Sequence, residues 1–149
     1  MRLGVVVMPA VLIALFGCGG SVTPADVDTR NDTCSFCRMS VSDRRLAAQI
    51  VGRGEEPRFF DDIGCLSHFL ENRPLAPDQV VYVADHRTGE WVDARHAVFS
   101  RLAAASTPMG SGLIAHASDS SRDQDTAAHG SAAVSGTELL PPLRQGARR

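Results

Sequence analysis

The spacing of hydrophobic positions early in the chain predicts a β-hairpin. In LAAQIVG (46–52), Leu46, Ala48 and Ile50 share one face, which is typical of a strand. A GRGEE turn separates this segment from PRFFDD (57–62), which has the composition of a second strand. Because the connection is short, the two strands are predicted to pair antiparallel.

A helix and a third strand are predicted to follow the hairpin. In IGCLSHFLENR the apolar residues recur every three or four positions, as on one face of an amphipathic helix. Asp61 or Asp62 is a suitable N-cap, and Pro74 ends the helix. The continuous apolar run VVYVA (80–84) is typical of a buried strand. The first half of the chain therefore reads as a ββαβ unit.

A weaker version of the same order is predicted in the second half. WVDARHAVFSRL begins it, TPMGSG (107–112) is a loop, and LIAHA (113–117) is a short strand. SSRDQDTAAHG has the pattern of a weak polar helix, and SAAVSGTELL (131–140) that of a last strand. The predicted fold class is α+β, with two small related ββαβ units in tandem over residues 31–84 and 85–140.

The ends of the chain fall outside these units. After Arg2, GVVVMPAVLIALFG has the length of a signal-peptide core and is shorter than the roughly 20 apolar residues of a membrane-spanning helix. It ends in LFGCGG, which is similar to a bacterial lipobox with Cys18 as the lipid-bearing first residue after cleavage. We therefore predict a lipoprotein signal peptide (1–17), a flexible lipid-anchored tether (18–30) and a disordered tail (141–149). The expected location is the cell envelope, on the membrane and facing the periplasm or the exterior.

Composition and charge exclude some classes of function. The chain has 149 residues, 44% of them hydrophobic, and a formal net charge of −2. All fifteen basic residues are Arg and they are scattered, so the sequence gives no indication of nucleic-acid binding. It contains no general acid–base pair and no Ser/His/Asp arrangement at motif-like spacing, which favours a protein that is not an enzyme.

Three cysteines remain once Cys18 carries lipid, and they carry the candidate chemistry. Outside the cytoplasm thiols are oxidised unless a metal or a reductant holds them, and an odd number does not form a closed disulfide framework. CSFCRMS places Cys34 and Cys37 at CxxC spacing, with Met39 two residues later. A zinc site uses four nitrogen or sulfur ligands, and only one CxxC is present. A thioredoxin-type CxxC begins a helix, and no strong helical pattern follows this one.

Two methionines favour a soft metal ion. Met39 lies in the polar, cysteine-bearing loop and Met109 lies in TPMGSG, and neither loop is a suitable place for core packing. Gly110 and Gly112 allow the backbone of the second loop to approach a ligand closely. Thiolate and thioether ligands together select Cu(I) over Zn(II) and over metals that prefer oxygen. The sequence therefore favours a Cu(I) site.

Four segments together resemble successive motifs of the NosL family: CSFCRMSVSDRRLAAQI, FFDDIGCLSHFL, WVDARHAVF and TPMGSGLIAH. The resemblance covers residues 31–117 and extends more loosely to residue 140. Members of this family are envelope lipoproteins, some of which are copper chaperones for nitrous oxide reductase. The resemblance thus implies a pair of ββαβ units and delivery of Cu(I) to a copper enzyme or a membrane copper-handling complex.

The resemblance also implies a set of ligands. The family's C-G-M signature falls on Cys37 and Met39, and Met109 is a further ligand. Arg38 stands where the family usually has Gly, and Cys34 is a thiol that the signature does not require. The predicted Cu(I) ligands are therefore Cys37, Met39 and Met109, together with Cys34.

Three other residues are candidates for additional metal ligands. Cys65 lies in the first turn of the predicted helix, where the dipole favours a thiolate, although a small buried side chain is the simpler interpretation. Asp62 is most simply the helix cap and secondarily an oxygen ligand. His116, like His68, is near enough in the predicted fold to approach the loops, yet a single His is more often packed than metal-binding.

Three other functions stay open. A thiol enzyme with a fold like that of organomercurial lyases would use Cys37, Cys65 and Asp61 and would not need the methionines. A thiol–disulfide oxidoreductase would cycle Cys34 and Cys37 between dithiol and disulfide. A structural lipoprotein would tolerate the loss of every sulfur.

Overall fold

The computed structural model describes residues 22–104 and 106–140. The predicted signal peptide (1–17), the lipidation site at Cys18 and the predicted tail (141–149) lie outside the described residues. Within the described part of the chain, no helix has the length and apolar character needed to cross a membrane.

The chain is α+β, with two small antiparallel sheets and short helices. The first sheet has the order β2-β1-β3-β4 and contains β1 (Ala48–Val51), β2 (Arg58–Phe60), β3 (Val80–Ala84) and β4 (Trp91–Asp93). The second has the order β6-β5-β7 and contains β5 (Val98–Arg101), β6 (Leu113–His116) and β7 (Ala132–Val134). The helices are α1 (Ile63–Glu71), α2 (Asp119–Asp123) and α3 (Gly136–Leu139), and 3₁₀ turns occur at Arg44–Leu46 and Thr126–Ala128.

The hairpin, helix and third strand of the first half form where the sequence predicted them. β1 is the inner strand, with Ala48 opposite Phe60 of β2 on one side and Val83 of β3 on the other. α1 begins after Asp62, whose carboxylate accepts a 2.6 Å hydrogen bond from the backbone N–H of Gly64. The predicted N-cap is therefore confirmed at Asp62.

β4 pairs with β3 in the first sheet, although its sequence falls in the second predicted unit (85–140). In the DHRTGE turn, the N–H of Gly89 donates to the carbonyl of Asp85 at 2.7 Å, and the N–H of Asp85 donates to Glu90 at 2.8 Å. A connection this short joins antiparallel neighbours, so the strand after it extends the sheet that the chain has just left.

The second sheet departs from prediction near its C-terminal end. In place of one polar helix, the segment after β6 forms the five-residue α2 and a separate 3₁₀ turn. The predicted last strand (131–140) is confined to β7, and the residues after it form α3 instead. That helical turn buries both Leu139 and Leu140 in the main core, which an exposed extension of β7 would not do.

Element order is the same in the two sheets: strand, strand, helix, strand. The third strand pairs with the first strand in each case, giving β2-β1-β3 and β6-β5-β7. One hydrophobic core contains side chains from both sheets and α1, including Phe60, Leu66, Phe99 and Leu113. Cys34 and Cys65 belong to this same core. Loops from both sheets therefore converge on the region of the thiols.

Part of the segment predicted as a tether (18–30) lies along the first sheet. The backbone of Ala25 exchanges two 2.9 Å hydrogen bonds with the side chain of the buried Gln49. The hydroxyl of Tyr82 donates to the carbonyl of Val22 at 2.6 Å. These contacts satisfy polar side chains of the sheet and fix the direction from which the chain enters it.

Candidate metal site

The cysteine loop is a single helical turn that ends in a left-handed residue. The N–H of Arg38 donates to the carbonyl of Cys34 at 3.0 Å, and the N–H of Cys34 donates to the carbonyl of Met39 at 2.7 Å. Arg38 has φ 69°, the only positive φ at a non-glycine residue in the described part of the chain. A helical turn that ends with this 5→1 bond usually has Gly at that position, because a side chain there is strained. The turn brings Cys37 back beside Cys34.

Cys65, from the first turn of α1, completes a cluster of three free thiols. The sulfur atoms of Cys34, Cys37 and Cys65 all lie within 4.8 Å of one another. Cys34 and Cys65 are buried, whereas Cys37 is only partly buried. Cys65 is therefore a buried core side chain, as the simpler sequence interpretation had it, and also a neighbour of both loop thiols.

The three thiols differ in their tendency to ionise. The Cys65 thiol donates a hydrogen bond to the Cys34 sulfur, and this bond is the main reason why the pKa of Cys34 is lowered to about 5. Burial opposes the shift, and hydrogen bonds from the backbone N–H groups of Asp61, Cys37 and Phe36 add to it. The bond between the two thiols raises the pKa of Cys65, and burial adds to that effect. Burial also raises the pKa of Cys37. Of the three thiols in the metal-free cluster, Cys34 is therefore the one whose ionisation is favoured.

Two adjacent carboxylates hold the loops that carry sulfur. Asp61 accepts hydrogen bonds from the backbone N–H and the hydroxyl of Ser42, at 2.6 and 2.9 Å, and so fixes the chain just after the cysteine loop. Asp62 accepts from the N–H of Met109 at 3.0 Å and from the hydroxyl of Thr107 at 2.7 Å. The methionine of the second sheet is thereby tied to the start of α1.

Both carboxylate oxygens of Asp62 are occupied by hydrogen-bond donors. Its other oxygen accepts from the N–H of Gly64 and from the hydroxyl of Ser111 at 2.5 Å. A carboxylate offers about four lone-pair sites, and here four donors occupy them. In this structure Asp62 serves as a helix cap and a loop anchor, with no lone pair directed at the thiols.

The close approach of the second loop to α1 depends on Gly64. A Cβ atom at Gly64 would lie 2.7 Å from the Cβ of Ser111, which is closer than real Cβ contacts allow, and 3.0 Å from an Asp62 oxygen. Gly110 and Gly112 have φ values of 71° and 68°, so the loop turns through conformations that glycine adopts without strain. Gly110 and Gly112, which were predicted to let this loop approach a ligand closely, therefore serve its turn, and a Cβ at Gly110 would meet no atom within 4 Å.

Both methionines lie at the surface beside this arrangement. Met39 is 56% exposed and Met109 is 45% exposed, and with Phe36 they are the large hydrophobic side chains exposed in the described part of the chain. The ring of Phe36 stacks on His68 of α1, with 5.7 Å between centroids. His68 thus does approach the cysteine loop, as the sequence suggested, but through its ring face.

His116 lies elsewhere. Leu113 and Ala115 of the same strand belong to the core that contains Cys34 and Cys65, and alternation along β6 places His116 on the opposite face. It is hydrogen-bonded to Asp125 at 2.9 Å. The structure therefore groups His116 with other residues, and not with the three thiols.

Sequence reasoning did not find these partners of His116, nor the pairing of Asp61 with Ser42. His86 and Asp125, the other members of the histidine group, stand at no motif-like spacing from His116. The signal that relates them is topological: an isolated bridge between Asp85 and Ala115 brings the end of β3 beside β6.

Comparison with known protein families matches residues 24–141 to the sequence profile of NosL. No curated protein and no solved structure matches the chain. The matched range includes both sheets, the three clustered thiols and both exposed methionines.

Proposed function

We propose that the protein binds Cu(I) as cargo and passes it to a copper enzyme. The chain belongs to the NosL family, as its match over residues 24–141 shows. Family membership suggests a copper-binding accessory function. The observation on which the proposal rests is the cluster of three free thiols beside two loops with exposed thioethers. We propose Cys34, Cys37, Met39 and Met109 as ligands, with Cys65 as a further thiol of the same site.

The donor set fits a soft monovalent ion. Three sulfurs lie within 4.8 Å of one another, and both oxygens of Asp62, at the start of α1, are occupied by hydrogen-bond donors. A donor set of thiols and thioethers favours Cu(I) over harder ions. The lowered pKa of Cys34 supplies one negative charge before the metal arrives, which balances the charge of Cu(I).

The distribution of exposure suits transfer by ligand exchange. Cys34 and Cys65 are buried, Cys37 is partly buried, and Met39 and Met109 are exposed. An acceptor's ligands reach the metal from the methionine side and displace neutral thioethers first. The thiolate bond breaks last, so the ion is never released to water.

Burial of the ionised thiol counts against the oxidoreductase alternative. A dithiol enzyme attacks its substrate with an accessible thiolate. Here the thiol with the lowered pKa, Cys34, is 0% exposed, and the accessible Cys37 has a raised pKa. The lyase-like alternative predicts a function that survives loss of both methionines.

Competition titration with a chromophoric Cu(I) chelator, under reducing and anaerobic conditions, tests the proposal. Cys37→Ser should abolish tight Cu(I) binding, because a hydroxyl cannot replace the soft thiolate that Cys37 becomes when the metal displaces its proton. Met39→Ala should weaken binding by less. Phe36→Ala is the matched control, because it removes an equally exposed apolar side chain that carries no sulfur.

Unchanged Cu(I) affinity in Cys37→Ser would remove the copper assignment. Tight Zn(II) binding that persists in the Met39→Ala, Met109→Ala double variant would support a zinc site instead. The Cys34→Ser variant separates the remaining models: the copper model predicts a partial loss of affinity, because Cys37 still gives up its proton to the metal and supplies a thiolate, and the oxidoreductase model predicts complete loss of activity.

The anchor and the client enzyme are parts of the same proposal. The lipobox-like LFGC supports lipid on Cys18 and a location on the envelope membrane. Membership of the NosL family is the support for a copper-accepting partner, such as nitrous oxide reductase or a membrane copper-handling complex. Cys18→Ser should release the protein into the soluble envelope fraction. A variant that stays on the membrane, with no acyl mass on the wild type, would contradict the anchor.

The two sheets are proposed to be related ββαβ copies. The shared element order and the shared strand orders β2-β1-β3 and β6-β5-β7 support this relation. Superposition of the first three strands and α1 on β5, β6, α2 and β7 tests it.

A further inference from the structure

We propose that His86, His116 and Asp125 form a second metal site, free of sulfur, that binds a divalent first-row transition ion such as Zn(II). The proposal is independent of the copper function of the thiols. It rests on the geometry of three side chains that come from three separate elements.

One carboxylate oxygen lies between the two imidazoles. Asp125 Oδ2 is 2.6 Å from His86 Nδ1 and 2.9 Å from His116 Nε2, and one candidate ligand atom from each residue lies within 4.8 Å of the others. Zinc bonds to nitrogen and oxygen are roughly 2.0–2.2 Å long, so tetrahedral ligand atoms stand about 3.3 Å apart. Small side-chain rotations therefore convert the two hydrogen bonds into metal bonds.

The backbone around these side chains is fixed. The N–H of His86 donates to the carbonyl of Ala115 at 2.8 Å, which ties the end of β3 to β6, the strand that carries His116. Asp125 Oδ1 accepts from the N–H of Ala127 at 3.0 Å, as the cap of the 3₁₀ turn. That bond directs the other oxygen of Asp125 toward the histidines. The ligand set is thus preorganised by the sheets and by a capped turn.

Burial leaves one side of the site open. The side chains of His116 and Asp125 are 0% and 8% exposed, and that of His86 is 15% exposed. An ion and a water ligand can enter from the His86 side, and a site with three protein ligands keeps its fourth position for water. One carboxylate and two neutral imidazoles partly neutralise a divalent charge, and imidazole nitrogen suits zinc and its neighbours.

Stability of the fold alone does not account for a histidine at position 116. Its Nδ1 is buried and has no hydrogen-bond partner. A buried polar atom without a partner destabilises a protein relative to an apolar side chain of similar volume. A hydrogen-bonded cluster kept only for stability would not need this nitrogen, whereas a metal ligand requires the imidazole ring.

The site is distinct from the thiol cluster. Side chains of a strand alternate between its two faces, and the core that contains Cys34 and Cys65 receives Leu113 and Ala115 from β6. His116 points from the opposite face, toward the segment after α2. Zinc at the thiols would therefore leave the rings of His86 and His116 unaffected.

The test is a Zn(II) titration of the full mature chain, followed by long-range ¹H–¹⁵N spectra of the histidine rings. Two of the five histidines should shift together, at one equivalent: His86 at Nδ1 or Nε2, and His116 at Nε2. His86→Gln should remove both shifts and weaken binding at this site more than the roughly 10–100-fold that loss of an outer-shell partner causes. His129→Gln, which changes an exposed histidine, is the matched control and should alter neither.

Two results would overturn the proposal. Unshifted His86 and His116 rings in the wild-type protein at saturating Zn(II) would identify a structural hydrogen-bond cluster only, and this measurement needs no variant to fold. If His86→Gln binds Zn(II) as tightly as the wild-type protein does, the ion is held by other residues. Neither result bears on Cu(I) binding by the thiols, so failure of the zinc proposal can be distinguished from failure of the copper proposal.

Discussion

Asp62 accepts a 3.0 Å hydrogen bond from the backbone N–H of Met109, forty-seven residues further along the chain. The carboxylate stands at the start of α1, three residues before Cys65. The position of the second methionine relative to the thiols is therefore set by a buried polar contact, and its own side chain remains free at the surface.

Replacing Asp62 with Asn should destabilise the protein and loosen the methionine loop. The amide group of Asn turns one acceptor oxygen into a donor, so two of the four donors that Asp62 satisfies lose their partner. Buried unpaired donors cost about 1–3 kcal/mol each, so for two of them we expect the free energy of unfolding to fall by about 2–6 kcal/mol. Denaturant unfolding and hydrogen exchange at the Met109 amide measure the two effects. Asp78→Asn, at an exposed carboxylate, should change neither.

Arg38→Gly should stabilise the cysteine loop. A left-handed non-glycine residue is strained by about 1–2 kcal/mol, while glycine loses about 0.5–1 kcal/mol of chain entropy on folding. The expected net gain in the free energy of unfolding is therefore up to about 1.5 kcal/mol. Arg38→Ala separates strain from charge, because it removes the guanidinium and keeps the Cβ. A gain of equal size in the alanine variant would show that φ 69° at this residue is not the cause.

Gly64→Ala should destabilise the protein even though alanine is the better helix former by about 1 kcal/mol. The new Cβ would stand 2.7 Å from the Cβ of Ser111, and overpacking of this kind costs about 1–3 kcal/mol. Gly52→Ala is the control: its nearest neighbours are the flexible ends of Glu55 and Gln79, which can move aside. Thermal unfolding of both variants decides the point, and a stabilised Gly64→Ala would show that the loop does not press on α1.

Asp85 should contribute to stability in an acid-sensitive way. Burial alone would raise its pKa, but hydrogen bonds from Ala117, Ser121 and Thr88 lower the pKa from 3.8 to about 2. Because the folded state has the lower pKa, the contribution is present above pH 3.8 and is lost as the pH falls toward 2. It amounts to about 2 kcal/mol, since each pKa unit corresponds to about 1.4 kcal/mol. The difference in unfolding free energy between wild type and Asp85→Asn, measured in metal-free protein, should shrink across that interval; a constant difference would contradict it.

Much of the first sheet could be predicted from sequence because its elements are determined locally. The helical spacing of Ile63, Leu66 and Leu70 and the cap at Asp62 are features of neighbouring residues, and α1 forms there. β4 and α3 were harder, because which sheet a short strand joins and whether Leu139 and Leu140 turn inward depend on the core of the whole protein.

For the site, the sequence indicated the residue types and the structure supplies their proximity. Cys34, Cys37 and Met39 are neighbours in sequence, so one turn relates them. The nearness of Cys65 to the loop thiols depends on how α1 packs, and its pattern as a small apolar residue in IGCL gives no sign of it. The roles of the predicted ligands stay predictions until Cu(I) binding is measured.

The tie between Asp62 and the second loop also has a consequence for the order of folding. As the chain is synthesised, the first sheet and α1 are complete well before residues 107–112 appear. Until they do, Asp62 lacks three of its four hydrogen-bond donors, and the core that contains Cys34 and Cys65 lacks Leu113 and Ala115. A metal ion that binds only the complete site would stabilise the folded state over the unfolded one. Tight binding would therefore require that both halves of the protein have folded.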